Sequence, residues 1–224
     1  MKTLKILLFI LALGCSLSQR VNAQSKDWKQ DKKIALVFGL TQPLVVSGFN
    51  VEVNYIHNRL IFDYSHGISL DLSGSLLPDY LQSQGLVVHM PFSTGFGIGY
   101  RFTEWLNLRV EPKWHRFEFY YEGDVQTIEN RIGVDANNYS VGPGLYGFFQ
   151  PFKKKENALK GITVAPSVRF WPTVASSFDN NAYRYENTRT GQTEELKSLA
   201  SGIGFSPLIV NVSIGYTFDL KRNK

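Results

Sequence analysis

The sequence predicts an all-β protein, with about eight antiparallel strands closed into an up-and-down barrel. Three observations predict it. Hydrophobicity alternates with period two again and again, with little helical period. The strand count is even. The links between strands alternate in length, as they do when short turns gather at one end of a barrel.

Strands are expected near residues 33–42, 49–57, 60–74, 86–103, 105–121, 138–152, 159–172 and 206–220. In the second, Phe49, Val51, Val53 and Tyr55 alternate with Asn50, Glu52 and Asn54. In the last, Val210, Val212, Ile214, Tyr216, Phe218 and Leu220 alternate with Asn211, Ser213, Gly215, Thr217 and Asp219. A soluble sandwich would turn the apolar face into a core. A membrane barrel turns it to lipid and keeps the polar face inside. Length favours the barrel. Several strands exceed the usual five or six residues, and tilted membrane strands need about 9–11.

The links after strands two (His57-Asn58-Arg59), four (Thr103-Glu104-Trp105) and six (a Lys-rich turn at 153–157) are short. Those after strands three, five and seven are long and polar. The first link on that side, residues 43–48, is short and apolar and fits less well. Aromatic residues near strand ends, among them Tyr100, Phe102 and Trp105, suit an interfacial girdle.

The N-terminus reads as an export signal. Lys2 and Lys5 precede an apolar run from Ile6 to Leu13, too short to span a bilayer. Val21-Asn22-Ala23 suits a signal peptidase, which places cleavage before Gln24. The only cysteine, Cys15, also stands where a lipoprotein signal carries its lipidated cysteine, although Leu13 occupies a place such signals usually give to a small residue. The expected organisation is a signal peptide at 1–23, an N-terminal periplasmic segment at 24–32, a barrel at 33–220 and a tail at 221–224. Formal charge falls from +5 to +2 once Lys2, Lys5 and Arg20 leave with the signal, so the basic balance gives little support to nucleic-acid binding.

The segment Ser213-Ile214-Gly215-Tyr216-Thr217-Phe218-Asp219-Leu220 resembles the signal read by the outer-membrane assembly machinery, with Ser213, Gly215, Phe218 and Leu220 on its marked positions. The tail after it departs from the many family members that stop at the aromatic residue. Taken with the strand pattern, nearly all of the mature chain resembles the small outer-membrane barrels of the OmpA or OmpX kind. The resemblance implies a bacterial outer-membrane location, periplasmic termini, and outer-membrane lipid and the assembly machinery as partners.

Parity assigns the interior. Even residues of strands three, four, five and eight would face lipid. The inward set then includes Glu52, Asp63, Asp71 and Glu111 against Arg101, Arg109, Lys113 and Arg169. Ser69, Ser73, His89, Ser93 and His115 also point inward on this count. An eight-stranded barrel is only just wide enough for side chains to fill it. Buried charge must be paired, so these residues read as a structural salt-bridge network, with an ion pathway as the alternative. Gly95, Gly97 and Gly99 make room for long side chains from the opposite wall, such as Arg109 or Arg169.

Catalysis is not expected. Ser65 and Asp63 face away from His66, and His89 and Ser93 lie about 13 Å apart along an extended strand. The four histidines are scattered and no metal-ligand spacing appears. No cofactor is expected. The loop at 180–198 mixes aromatic and polar residues, which suits an extracellular or envelope protein or glycan partner. The run Phe117-Glu118-Phe119-Tyr120-Tyr121 reverses the alternation of its strand. It marks either a bulge or a strand end projecting above the membrane. The expected function is a non-enzymatic outer-membrane barrel of structural or interaction type, with a narrow solute channel and a lipid-modifying enzyme as alternatives.

Overall fold

The computed structural model describes residues 28–220. The expected signal peptide, Cys15, the cleavage site before Gln24 and the tail at 221–224 lie outside the described residues. In chain order the strands are β1 (Lys32–Gly39), β2 (Phe49–His57), β3 (Leu60–Leu72), β4 (Leu86–Arg101), β5 (Leu106–Tyr121), β6 (Ala136–Gly147), β7 (Ile162–Phe170), β8 (Thr173–Ser176), β9 (Ala182–Asn187), β10 (Gln192–Lys197) and β11 (Leu208–Asp219).

All but β8, β9 and β10 build the barrel. Each pairs antiparallel with its neighbour. The ring closes where β1 meets β11, with Ile34 opposite Phe218, and where β5 meets β6, with Val110 opposite Pro143. Closure leaves no free edge along the body of the barrel. Beyond Gly144, β6 leaves β7 and pairs with β8 instead, Asn138 opposite Ser176.

One end carries the described termini and the links β2–β3, β4–β5 and β6–β7; we call it the terminal end. Asn58 takes the left-handed conformation in the first of these turns, and its N–H donates to the Asp31 carbonyl at 2.7 Å. The third link is longer than the sequence suggested, because β6 ends at Gly147 rather than near residue 152. At the opposite end β1 stops at Gly39, and the residues expected to continue it form a short helix, α1 (Thr41–Val45).

That opposite end is a cap. β3, β4, β5 and β6 rise past the ends of β1, β2 and β7. A second short helix, α2 (Asp79–Ser83), and the β9–β10 hairpin pack over them. The hairpin occupies most of the segment expected to be a polar loop, and Tyr185 and Leu196 are buried in it. The cap has its own apolar core, in which Leu81, Val88, Phe117, Phe119, Phe178 and Leu196 are central.

β5 enters this core without a break. Its odd residues face inward from Asn107 to Tyr121, polar up to His115 and apolar from Phe117. The reversal at Phe117 therefore comes from a strand that projects upward; pairing with β6 stays in register through Phe117.

β3 and β4 do change faces. Ser69 takes a φ of 54°, and the β4–β5 register shifts between His89 and Phe92, around Pro91, which has no N–H to donate. Past this point Leu70, Leu72, Val88 and Met90 turn inward. This corrects the simple parity count: Asp71 and His89 are not interior residues. They pair with each other on the outside of the cap, His89 Nδ1 to Asp71 Oδ1 at 2.6 Å. Ser69 and Ser73 are likewise exposed.

Candidate functional site in the barrel lumen

Below the cap, polarity is inverted relative to a soluble protein. The outward face presents Ile34, Phe62, Ile98, Leu108, Val110 and Ile214, all partly exposed, as a continuous apolar belt. From Trp105, in the turn before β5, to Trp114 on that strand, the belt extends about 30 Å along the chain direction and about 23 Å after a barrel tilt. The inward face holds charge. This is the architecture of small outer-membrane β-barrels.

Six of the eight interior residues named from sequence meet in the lumen. Arg109 Nη1 lies 2.9 Å from Glu52 Oε1 and 3.2 Å from Asp63 Oδ2. Arg169 Nη2 reaches Glu52 Oε2 at 3.2 Å. Lys113 Nζ lies 3.4 Å from Glu111 Oε1 and donates to Ser65 Oγ at 2.7 Å. Three cations thus face three carboxylates, and all six residues are buried. Burying this much charge is tolerable only when it is paired and hydrogen-bonded.

Two residues that sequence reasoning missed complete the cluster. The Tyr146 hydroxyl donates to Glu111 Oε1 at 2.7 Å, and Trp171 Nε1 donates to Glu111 Oε2 at 3.2 Å. Their rings also cover the cations. The Arg109 guanidinium sits 3.7 Å from the Tyr146 ring centre, and Arg169 lies 5.2 Å from that of Trp171. Tyr146 shares the inward parity of Gly142 and Gly144, which was the signal that could have found it.

The other two lie elsewhere. Asp71 is in the cap. Arg101 closes the terminal end, donating to Asp31 Oδ2 at 3.2 Å and to the carbonyls of Asn58 and Glu104 at 3.0 and 2.8 Å. The glycines of β4 also work differently from the expectation. They admit side chains of adjacent strands, not of the opposite wall: a Cβ on Gly99 would stand 2.6 Å from Arg109 Cγ, and one on Gly97 2.9 Å from Glu111 Cγ.

Above the charge cluster, buried His115 bridges Ser93 and Ser140, at 2.8 Å from Nδ1 and 2.9 Å from Nε2. On β3, Ser65 points into the lumen toward Lys113, whereas His66 lies on the outer face between Tyr64 and Phe92. The Ser65–His66–Asp63 set therefore does not converge. On β11, Ser213 is buried inward, Phe218 is exposed in the belt, and Leu220 follows the strand end. In the cap, burial pushes the Tyr80 phenol up to about 12 and raises that of Tyr185, which donates to Glu194.

Among solved structures the chain is similar to three outer-membrane barrels. The N-terminal β-barrel domain of Pseudomonas aeruginosa OprF is 10% identical, with 84% of this chain and 98% of that one covered and a TM-score of 0.40. The Yersinia pestis attachment invasion locus protein Ail is 12% identical, covering 84% and 97%, with a TM-score of 0.37. A major outer membrane protein of Thermus thermophilus is 11% identical, covering 84% and 98%, with a TM-score of 0.42. No family model and no curated protein sequence matches the chain.

Proposed function

We propose that this protein is a bacterial outer-membrane barrel of structural or interaction type, with a lumen closed by charge pairing and a cap that makes contacts outside the cell. The observation that carries this reading is the reversal of polarity along one continuous sheet. An apolar belt with a charged interior suits lipid outside, and the cap's apolar core with a polar exterior suits water. In this reading the terminal end faces the periplasm, and Ser213, Gly215, Phe218 and Leu220 present the assembly signal.

The contacts are assigned to the cap surface. The aromatic residues of the β9–β10 hairpin are largely spent on packing, Tyr185 being buried. Arg184 and Glu186 of the hairpin stay exposed, and beside it the loop at 122–135 exposes Val125 and Ile128 at 72% and 77%. Those two side chains suit a protein partner better than a glycan. We read the chain as non-enzymatic, because the His115 of its lumenal Ser93–His115 pair is buried and backed by Ser140 in place of a carboxylate.

Planar-bilayer recording tests the closed lumen. The folded protein is expected to give no stable channel openings; sustained openings of uniform size would favour the narrow-channel reading. Heat-modifiable migration on a detergent gel tests the barrel itself.

A further inference from the structure

Charge is sorted by height along the barrel. Among the described residues, nine basic and four acidic side chains stand around the terminal end and five basic and eleven acidic in the cap, while the lumenal cluster balances three against three. The acids of the terminal end are mostly engaged. Asp31 pairs with Lys33 and Arg101, Glu104 with Lys153, and Asp219 with Lys160. Among the described residues Lys32, Arg59, Lys154 and Lys155 have no carboxylate partner, and all four are exposed.

Their placement points to a ligand class. Lys32 lies on the outward face of β1, next along that face to Ile34 of the apolar belt. Arg59 Nη1 donates to the Tyr100 hydroxyl at 2.6 Å, and the guanidinium lies 5.8 Å and 5.7 Å from the Tyr100 and Trp28 ring centres. Tyr100, Phe102 and Trp105 form the aromatic rim of the belt, the depth at which lipid headgroups begin. Lys154 and Lys155 follow exposed Phe152 on the β6–β7 link, away from Lys32 and Arg59 in the ring of strands. Cations spread around a perimeter, just beyond an aromatic girdle, suit a shell of phosphates more than one compact ligand. Their alkyl stems can lie along the belt with the charge in the headgroup layer.

We propose that the terminal end of the barrel is a docking surface for anionic phospholipid headgroups of the leaflet that surrounds it. The inference rests on the barrel reading above and adds a lipid preference to it. Each cation near a negatively charged membrane surface strengthens association, and salt weakens it.

The test uses the mature chain refolded in phosphatidylcholine vesicles. Spin-labelled phosphatidylglycerol and spin-labelled phosphatidylcholine report which lipid is motionally restricted at the protein surface. At low salt, phosphatidylglycerol is expected to associate about three- to tenfold more strongly, a preference that high salt shrinks. In K32Q/R59Q/K154Q/K155Q the ratio is expected to fall to near one, with heat-modifiable migration retained. If that variant does not fold, K154Q/K155Q, which lies outside the strands, carries the test with an intermediate ratio. Equal association of both lipids with the unsubstituted protein overturns the inference, as does a preference that survives the substitutions. Retention on purified peptidoglycan without any lipid preference also overturns it, in favour of a cell-wall partner. A chain that inserts into no vesicle overturns the barrel reading and this inference with it. A chain that inserts without preference overturns the inference alone.

Discussion

The two halves of β5 turn the same face inward and fill it with opposite chemistry. Toward the terminal end the inward residues are Asn107, Arg109, Glu111, Lys113 and His115; toward the cap they are Phe117, Phe119 and Tyr121. The outward face changes in the opposite sense. Leu108, Val110 and Trp114 give way to Arg116 and Glu118, which join Arg131 and Asp135 in a surface ion-pair cluster. Backbone geometry is nearly constant through the change, so the surroundings of the strand set its sequence. Where lipid surrounds the sheet, only the interior can hold polar groups. Where water surrounds it, the interior can be apolar and supply a hydrophobic core.

The same contrast predicts where substitutions hurt. The largest effect is expected in the charge cluster. Glu52 pairs with both Arg109 and Arg169, and E52A leaves two buried guanidinium groups short of a counter-charge. Urea unfolding in vesicles should show a loss of about 3–5 kcal/mol for the whole barrel; a neutral result would mean that water or other groups already solvate the arginines. In the cap, F119A empties a fully buried ring site and should cost about 3 kcal/mol, but locally. Limited proteolysis should then cut the β9–β10 hairpin while heat-modifiable migration persists. Loss of the barrel as well would show that the two regions fold as one unit. A smaller pair compares the outer faces. V110R, at the middle of the belt, should cost about 2–3 kcal/mol, because it exposes a cation to hydrocarbon. V125R, on an exposed cap loop, should change stability by less than about 0.5 kcal/mol. Equal costs at the two sites would remove the distinction between lipid and water.

The barrel was legible in the sequence because period two is a direct consequence of strand geometry. It located all eight barrel strands, and it brought Glu52, Asp63, Arg109, Glu111, Lys113 and Arg169 to one interior. The cap was much less legible. A parity count assumes an unbroken pleat, and the irregularities at Ser69 and Pro91 carried Asp71 and His89 to the outer face. Ser69 does not announce a bulge by type; Pro91, which cannot donate to the strand ladder, was the one signal in the sequence that could have located the break. The β9–β10 hairpin was hidden because its strands are mainly polar, with Tyr185 and Leu196 as their buried anchors. Trp171 escaped notice for another reason. A search for charge partners passes over an indole N–H, although here it donates to Glu111.

The reversal near His115 and Phe117 is expected to mark the edge of the membrane, and spin labels along β5 can locate that edge. The only cysteine in the sequence is Cys15, within the expected signal peptide, so single cysteines can be placed along β5 of the processed chain. Positions 108, 110, 114, 116 and 118 all lie on the outward face. Collision rates of labels there with oxygen, which concentrates in lipid, and with a water-soluble nickel chelate report which phase each one meets. High oxygen and low chelate accessibility are expected at 108, 110 and 114, changing over to chelate accessibility by 118. Uniform accessibility along all five positions, whether lipid-like or water-like, is incompatible with a membrane edge at this reversal.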